Sequence, residues 1–176
     1  TRPKSSAASD VYKRQLGCYI EWTGSELNET VTITADSSGM ITLYSGTQPM
    51  GQGIATSYLQ IFSEQLQIPV KQLKVVQGDT DLVEGHGSVG SRSLFVGGNA
   101  ILCGIEDFLE ECKHLAASEL EASVEDLEYH QGNFQVKGTR VGIGIFDLCS
   151  RQSGNSISVK RKKELTGRSW PNGCHV

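Results

Sequence analysis

The run Val31-Thr32-Ile33-Thr34-Ala35-Asp36, then Ser37-Ser38-Gly39, then Met40-Ile41-Thr42-Leu43-Tyr44-Ser45 decides the fold class. Both flanks alternate apolar with polar and are rich in β-branched residues, and the centre has turn composition, so the stretch predicts a β-hairpin. Downstream, Gly46-Thr47-Gln48-Pro49-Met50-Gly51-Gln52-Gly53 is a loop. Ile54, Tyr58, Ile61, Phe62 and Leu66 then fall at helical spacing until Pro69, and Leu73-Lys74-Val75-Val76-Gln77 reads as a strand. This strand–loop–helix–strand order, added to the hairpin, predicts an α+β fold.

Outward from that unit, a second loop runs from Gly78 to Gly98 and contains Gly85-His86-Gly87-Ser88-Val89-Gly90-Ser91-Arg92-Ser93. It leads into another amphipathic helix, carrying Ile101, Ile105, Phe108, Leu109, Cys112 and Leu115. Leu127–His130 and Asn133–Val136 flank Gln131-Gly132 as a small hairpin, and Gly17 to Gly24 is an edge-strand candidate. Past Val141 the pattern weakens, and Lys160-Arg161-Lys162-Lys163 reads most simply as a solvated loop.

The 176 residues include 16 basic and 20 acidic side chains, for a formal charge of −4. A mildly acidic chain argues against a dedicated nucleic-acid binder. No apolar run reaches the roughly 20 residues of a membrane helix. Residues 1–15 hold four basic side chains against Asp10 and no periodicity, which predicts a non-native or disordered leader ahead of a domain at 16–176. No apolar core follows those basic residues, so they do not read as a signal peptide. Both ends read as cuts through a longer chain. Five cysteines without a C-x-x-C spacing disfavour a structural metal site and suit a reducing compartment, with the cytoplasm as the default.

The chemistry resides in the two glycine-rich loops, each of which opens a helix. Unpaired N–H groups and partial positive charge at a helix N-terminus favour phosphate, and glycine lets the backbone close on a ligand. The first loop offers Gly51, Gln52 and Gly53, with the Thr56 hydroxyl one turn on; the second offers Ser88, Gly90, Ser91, Arg92 and Ser93. They predict a cradle for a diphosphate or polar heterocycle. Plain turns have the same composition, and Arg92 can instead bind a carboxylate from a neighbouring segment. Neither the Walker nor the dinucleotide pattern is complete. His86 reads as a solvated loop residue, Asp79-Thr80-Asp81 as a turn, and no residue stands out as nucleophile or general base.

At these loops the sequence resembles the molybdenum hydroxylases, the xanthine dehydrogenase, aldehyde oxidase and carbon monoxide dehydrogenase type. The similarity runs from Ser45 through Gly53, through Gly78–Asp81 and Gly87–Ser93, into Gly97-Gly98-Asn99-Ala100, and ends in Trp170-Pro171-Asn172-Gly173-Cys174-His175-Val176. The resemblance implies a piece of the large subunit's second molybdopterin-binding domain. Gln52 would then hydrogen-bond the cofactor near its metal end, and Ser88, Ser91 and Ser93 with nearby amides would hold its phosphate and nucleotide part. The Gly-Ser-Arg-Ser form is similar to the carbon monoxide dehydrogenase-like branch, implying the cytosine dinucleotide form of molybdopterin with molybdenum. It also implies iron–sulfur clusters and FAD on other domains or subunits, and a dimer of multi-subunit protomers. The implied reaction is oxidative hydroxylation of an aldehyde, an N-heterocycle or a carbon monoxide-like substrate. The family's glutamate base, in a Gly-x-Gly-Glu segment, does not occur here, so the resemblance supplies no catalytic residue and this piece alone is expected to be inactive. Two other readings stay open: a non-catalytic module binding a phosphorylated ligand, and a structural domain in which Gln52 and Arg92 only satisfy backbone groups.

Overall fold

A computed structural model of the protein describes residues 16–175. The expected leader, residues 1–15, lies outside them. The described residues form three sheets and three α-helices.

The expected hairpin is β2 (Asn28–Asp36) against β3 (Ile41–Ser45), antiparallel, with Val31 opposite Ser45 and Ala35 opposite Ile41. Its turn is closed by the Asp36 carboxylate, which accepts the Ser38 N–H at 2.8 Å and the Ser38 hydroxyl. The Ser38 hydroxyl is the main reason the Asp36 carboxyl is held below its usual range. Gly39, at φ +94°, takes the left-handed position the turn requires. Helix α1 (Ile54–Leu66) follows, then β4 (Leu73–Gln77), which pairs parallel with β3 as a helical crossover permits. Helix α2 (Gly98–Glu119) comes next. Strands β5 (Leu127–His130), β6 (Asn133–Val136) and β7 (Gly142–Gly144) form a separate three-stranded antiparallel sheet, and α3 (Ile145–Ser150) follows it.

The basic run corrects the expectation of a solvated loop. Lys160–Lys163 lies within β8 (Ser156–Glu164), which pairs with all of β2, from Asn28 opposite Glu164 to Asp36 opposite Ser156. The main sheet is therefore β4-β3-β2-β8, with β8 on an edge. A lysine-rich edge discourages pairing with a second chain, so the charge run has a structural use in a strand. Arg161 turns back to α2 and pairs with Asp107 at 3.1 Å.

Strict alternation in β2 puts Val31, Ile33 and Ala35 on one buried face. That face, with Ile41 and Leu43, packs against Tyr58 and Phe62 of α1 and Ile101, Ile105 and Phe108 of α2. Close approach of α2 to the sheet requires Gly104, since a Cβ there would meet Val31 Cγ2 at 2.9 Å. The Gly17–Gly24 candidate resolves as β1 (Gly17–Ile20), paired antiparallel with β9 (Asn172–His175) in a two-stranded ribbon away from the core.

Candidate functional site

Strand β3 and helix α1 deliver the first loop, and β4 and α2 deliver the second, so both open on the same end of the β3–α1–β4 unit. They are bonded to each other directly. The Gln48 N–H donates to Ser88 Oγ at 2.9 Å, and that hydroxyl donates back to the Gln48 carbonyl at 2.8 Å. The Gly87 N–H reaches the Gly46 carbonyl at 3.0 Å. Gly46 and Gly85 let the two backbones cross: a Cβ on Gly46 would stand 2.4 Å from Gly85 Cα, and one on Gly85 would stand 2.3 Å from Gly46 Cα.

A cleft of about 550 Å³ lies between the loops. Its polar lining includes Gln52, Ser57, Ser88, Gly90, Ser91 and Ser93, and its apolar rim includes the exposed side chains of Met50, Val89 and Leu94. Five of the sequence-predicted residues are thus brought to one cleft. Ser57, which sequence reasoning missed, joins them from the first turn of α1; its spacing of five from Gln52 carried the only signal. Gly51 and Gly53 shape the loop rather than line the cleft, at φ +86° and +76°, and both front open space where a Cβ would stand. Thr56 is exposed on α1 outside the lining.

The hydrogen bonds say how each polar group is held. Gln52 folds over its own loop, its Nε2 donating to the Gln48 carbonyl at 2.9 Å and its Oε1 accepting the Met50 N–H at 2.5 Å. Ser93 donates to Ser88 at 2.7 Å. Ser91, at φ +52°, donates its hydroxyl to Glu21 at 2.8 Å. Gly53 occupies the N-cap position of α1 and offers no side-chain cap, so the first-turn N–H groups next to Gln52 keep their donors free. Beneath the loops the Tyr58 hydroxyl accepts from Thr47 at 3.2 Å and donates to the Ser93 carbonyl at 2.5 Å. Burial raises the Tyr58 phenol above its ordinary value, so it stays a neutral donor. Gly97 is required beside it, since a Cβ would meet the Tyr58 oxygen at 2.1 Å. The second loop is shorter than expected: a π-helical turn, Ser93–Gly97, runs directly into α2.

Arg92 is placed differently from a ligand-facing fork. Its side chain is fully buried and is not among those lining the cleft. Nη1 donates to Glu29 at 2.8 Å and to the Gly87 carbonyl at 2.7 Å, Nη2 to the Asn28 carbonyl at 2.6 Å, and Nε to the Glu26 carbonyl at 3.1 Å. The carboxylate partner from a neighbouring segment is thus Glu29, itself fully buried. With four bonds to protein acceptors, the guanidinium ties the second loop to the entry of β2.

The remaining candidates fall elsewhere. Asp79 accepts the Asp81 N–H at 3.0 Å, the expected turn. His86 is exposed and lines a separate cavity of about 300 Å³ with Glu84 and Lys162. A larger groove, about 610 Å³, lies over β5–β7 and α3 and includes His130, Arg140 and Asp147, but none of the predicted residues. Among the described residues no three His, Cys, Asp or Glu side chains converge as metal ligands, and no helix is long and apolar enough to cross a membrane.

Residues 3–176 match the family model described as the molybdopterin cofactor-binding domain. The chain is 35% identical over 136 residues to the 6-hydroxypseudooxynicotine dehydrogenase complex subunit gamma of Paenarthrobacter nicotinovorans, covering 77% of this chain and 17% of that one. It is 38% identical over 94 residues to the carbon monoxide dehydrogenase large chain of Hydrogenophaga pseudoflava, covering 53% of this chain and 12% of the relative. The fold superimposes on reconstituted CO dehydrogenase from Oligotropha carboxidovorans with a TM-score of 0.78 at 23% identity, over 96% of this chain and 24% of the other. The chain therefore spans under a fifth of the length of these two sequence relatives.

Proposed function

The chain belongs to the molybdopterin cofactor-binding domain family, and from that premise we infer that the cleft between its two loops holds part of a molybdopterin cofactor in a molybdenum-dependent oxidoreductase. The observation that carries this reading is the bonding of the loops into one unit around an open cleft lined by an amide and four hydroxyls. The donor set fits such a group: hydroxyls and amides suit an uncharged heterocycle and its phosphates, and the open faces of Gly51 and Gly53 leave room for it.

Gln52, on the loop that opens α1, binds the metal-proximal end, and the bare N–H groups of the first turn of α1 favour negative charge beside it. Ser88 and Ser93, with the Gly90 and Ser91 backbone, bind the phosphate and nucleotide part, in the cytosine dinucleotide form. Because Glu21 takes the Ser91 hydroxyl, Ser91 contributes to an anion through its backbone and by satisfying that carboxylate. When bound, the cofactor supplies the two-electron oxidising centre for hydroxylating an electron-poor carbon of an aldehyde, N-heterocycle or carbon monoxide-like substrate. Iron–sulfur and flavin groups would be held on other domains or subunits, in a cytoplasmic dimer of multi-subunit protomers. A relative named as one subunit of a complex supports the presence of partner subunits.

The test uses the complete parent protein. Gln52→Ala and Ser93→Ala each remove a hydrogen bond worth about 1–3 kcal/mol when buried, so each lowers molybdenum content by metal analysis and cytidine monophosphate released by acid hydrolysis. Full occupancy in both variants would sink the assignment of the cleft.

A further inference from the structure

The ribbon of β1 and β9 places Cys18 directly opposite Cys174, with the two Sγ atoms 3.5 Å apart and both residues exposed. The ladder fixes the kind of pair. Glu21 N–H donates to the Pro171 carbonyl at 2.9 Å and Thr23 N–H to the Ser169 carbonyl at 3.0 Å. Bonded pairs alternate along an antiparallel ladder, so Cys18 and Cys174 occupy a non-hydrogen-bonded pair, where the Cα atoms stand about 4.5 Å apart and side chains are closest. A disulfide accepts Cα separations of about 4.4–6.8 Å, so it forms here by side-chain rotation without moving the strands.

We propose that Cys18 and Cys174 are a redox-modification site, a vicinal cross-strand thiol pair that closes to a disulfide clasp on the ribbon by exchange with a low-molecular-weight disulfide such as oxidised glutathione. One cysteine loses its proton to solvent, and the thiolate attacks a sulfur of the small disulfide. That bond breaks, one small thiolate leaves, and a mixed disulfide remains on the protein. The second cysteine, as thiolate, attacks the protein-side sulfur and expels the other half. Two protein thiols have lost two electrons, the small disulfide has become two thiols, and both protons end on them.

The other three cysteines are poorly placed to compete. Cys112 and Cys149 are buried among core side chains, and Cys103 is half-buried on α2 with no cysteine bonded to it. The clasp sits close to the second loop in the fold. Strand β1 leads into Glu21, which accepts the Ser91 hydroxyl, and into Gly24 and Ser25, whose N–H groups both bond the Gly90 carbonyl.

The experiment equilibrates the full chain with graded mixtures of reduced and oxidised glutathione, then quenches, counts free thiols under denaturing conditions and maps peptides. The thiol count is expected to fall from the five in the sequence to three, with one linked peptide pair containing Cys18 and Cys174. Closure in the native chain is expected at an oxidant ratio at least about tenfold lower than in denaturant, because the fold raises the effective concentration of the second thiol. Cys18→Ser and Cys174→Ser, both at exposed positions, should each stop at a glutathione mixed disulfide on the remaining cysteine. The proposal is overturned by five free thiols, by mixed disulfides only in the unaltered chain, by a linkage through Cys103, Cys112 or Cys149, by intermolecular dimers, or by equal closure in native and denatured chains.

Discussion

Arg92 and Glu29 show how residue-scale chemistry separates holding a loop from binding a ligand. Both are fully buried, and the guanidinium bonds three backbone carbonyls besides the carboxylate. Removing one partner of a buried pair leaves an uncompensated charge, at about 3–5 kcal/mol. Arg92→Met is therefore expected to destabilise the chain by that order and to orphan the Glu26, Asn28 and Gly87 carbonyls. Glu29→Gln leaves the buried guanidinium without its counter-charge and is expected to cost the same order, but somewhat less, since an amide oxygen still accepts and the arginine keeps its three carbonyls. Urea unfolding of both variants checks the ordering, and a Glu29→Gln as damaging as Arg92→Met contradicts it. The sequence carried half of this pair. Arg92 stood out in its loop, whereas Glu29 was legible only through its phase, since it shares the buried face of β2 with Val31, Ile33 and Ala35. A carboxylate in an apolar phase signals a missing cation, but the strand start had to be set at Asn28 before that phase existed.

At the scale of elements, the crossing of the two loops rests on Gly46 and Gly85, which touch backbone to backbone. A methyl on Gly85 has nowhere to rotate, so Gly85→Ala is expected to cost towards the upper end of the roughly 1–3 kcal/mol of overpacking and to part the loops. Amide exchange reads this directly, because the Gly87 N–H loses its partner, the Gly46 carbonyl. Gly51→Ala meets open space and pays only for its positive φ, about 1–2 kcal/mol, with the Gly87 amide still protected. Equal loss of Gly87 protection in both variants would show that the crossing is not what joins the loops. Elements with local signatures were readable: the β2–β3 hairpin by alternation, α1 and α2 by helical period, β5–β6 by Gln131-Gly132. Strand β8 was not, because only Ile157 and Val159 alternate before the charges begin, and its identity as a strand comes from pairing with β2 more than a hundred residues away. The partnership of β1 with β9 is equally non-local, and β7 and α3, at three and six residues, are too short to show a period.

For the whole molecule, the titratable groups enclosed by the core give folding a pH limit on the alkaline side. Burial pushes the Cys149 thiol from its ordinary 9.0 up to about 11 and the Tyr129 phenol from 10.0 up to about 12, and it also raises Cys112 and Tyr58. Each group is neutral when protonated, and the core holds that form against the charged one. The native chain therefore keeps protons that the unfolded chain releases, and stability must fall as pH rises wherever the two differ. The contribution is fully present below pH 9.0, the ordinary thiol value. It declines first through the thiols and is lost for Cys149 as pH passes about 11, with Tyr129 following between 10.0 and about 12. Tyr129 adds a structural consequence, because its hydroxyl donates to the Leu66 carbonyl at the end of α1 at 2.5 Å and accepts the Gly132 N–H at 3.1 Å. Its ionisation would remove the donor that joins α1 to the β5–β6 sheet, so the two parts should loosen together. Urea midpoints measured at intervals from pH 8 to 11 are expected to hold level to about 9 and then fall. A midpoint that stays level or rises across that interval would mean that these side chains reach solvent in the native state, and that the core is looser than its packing indicates.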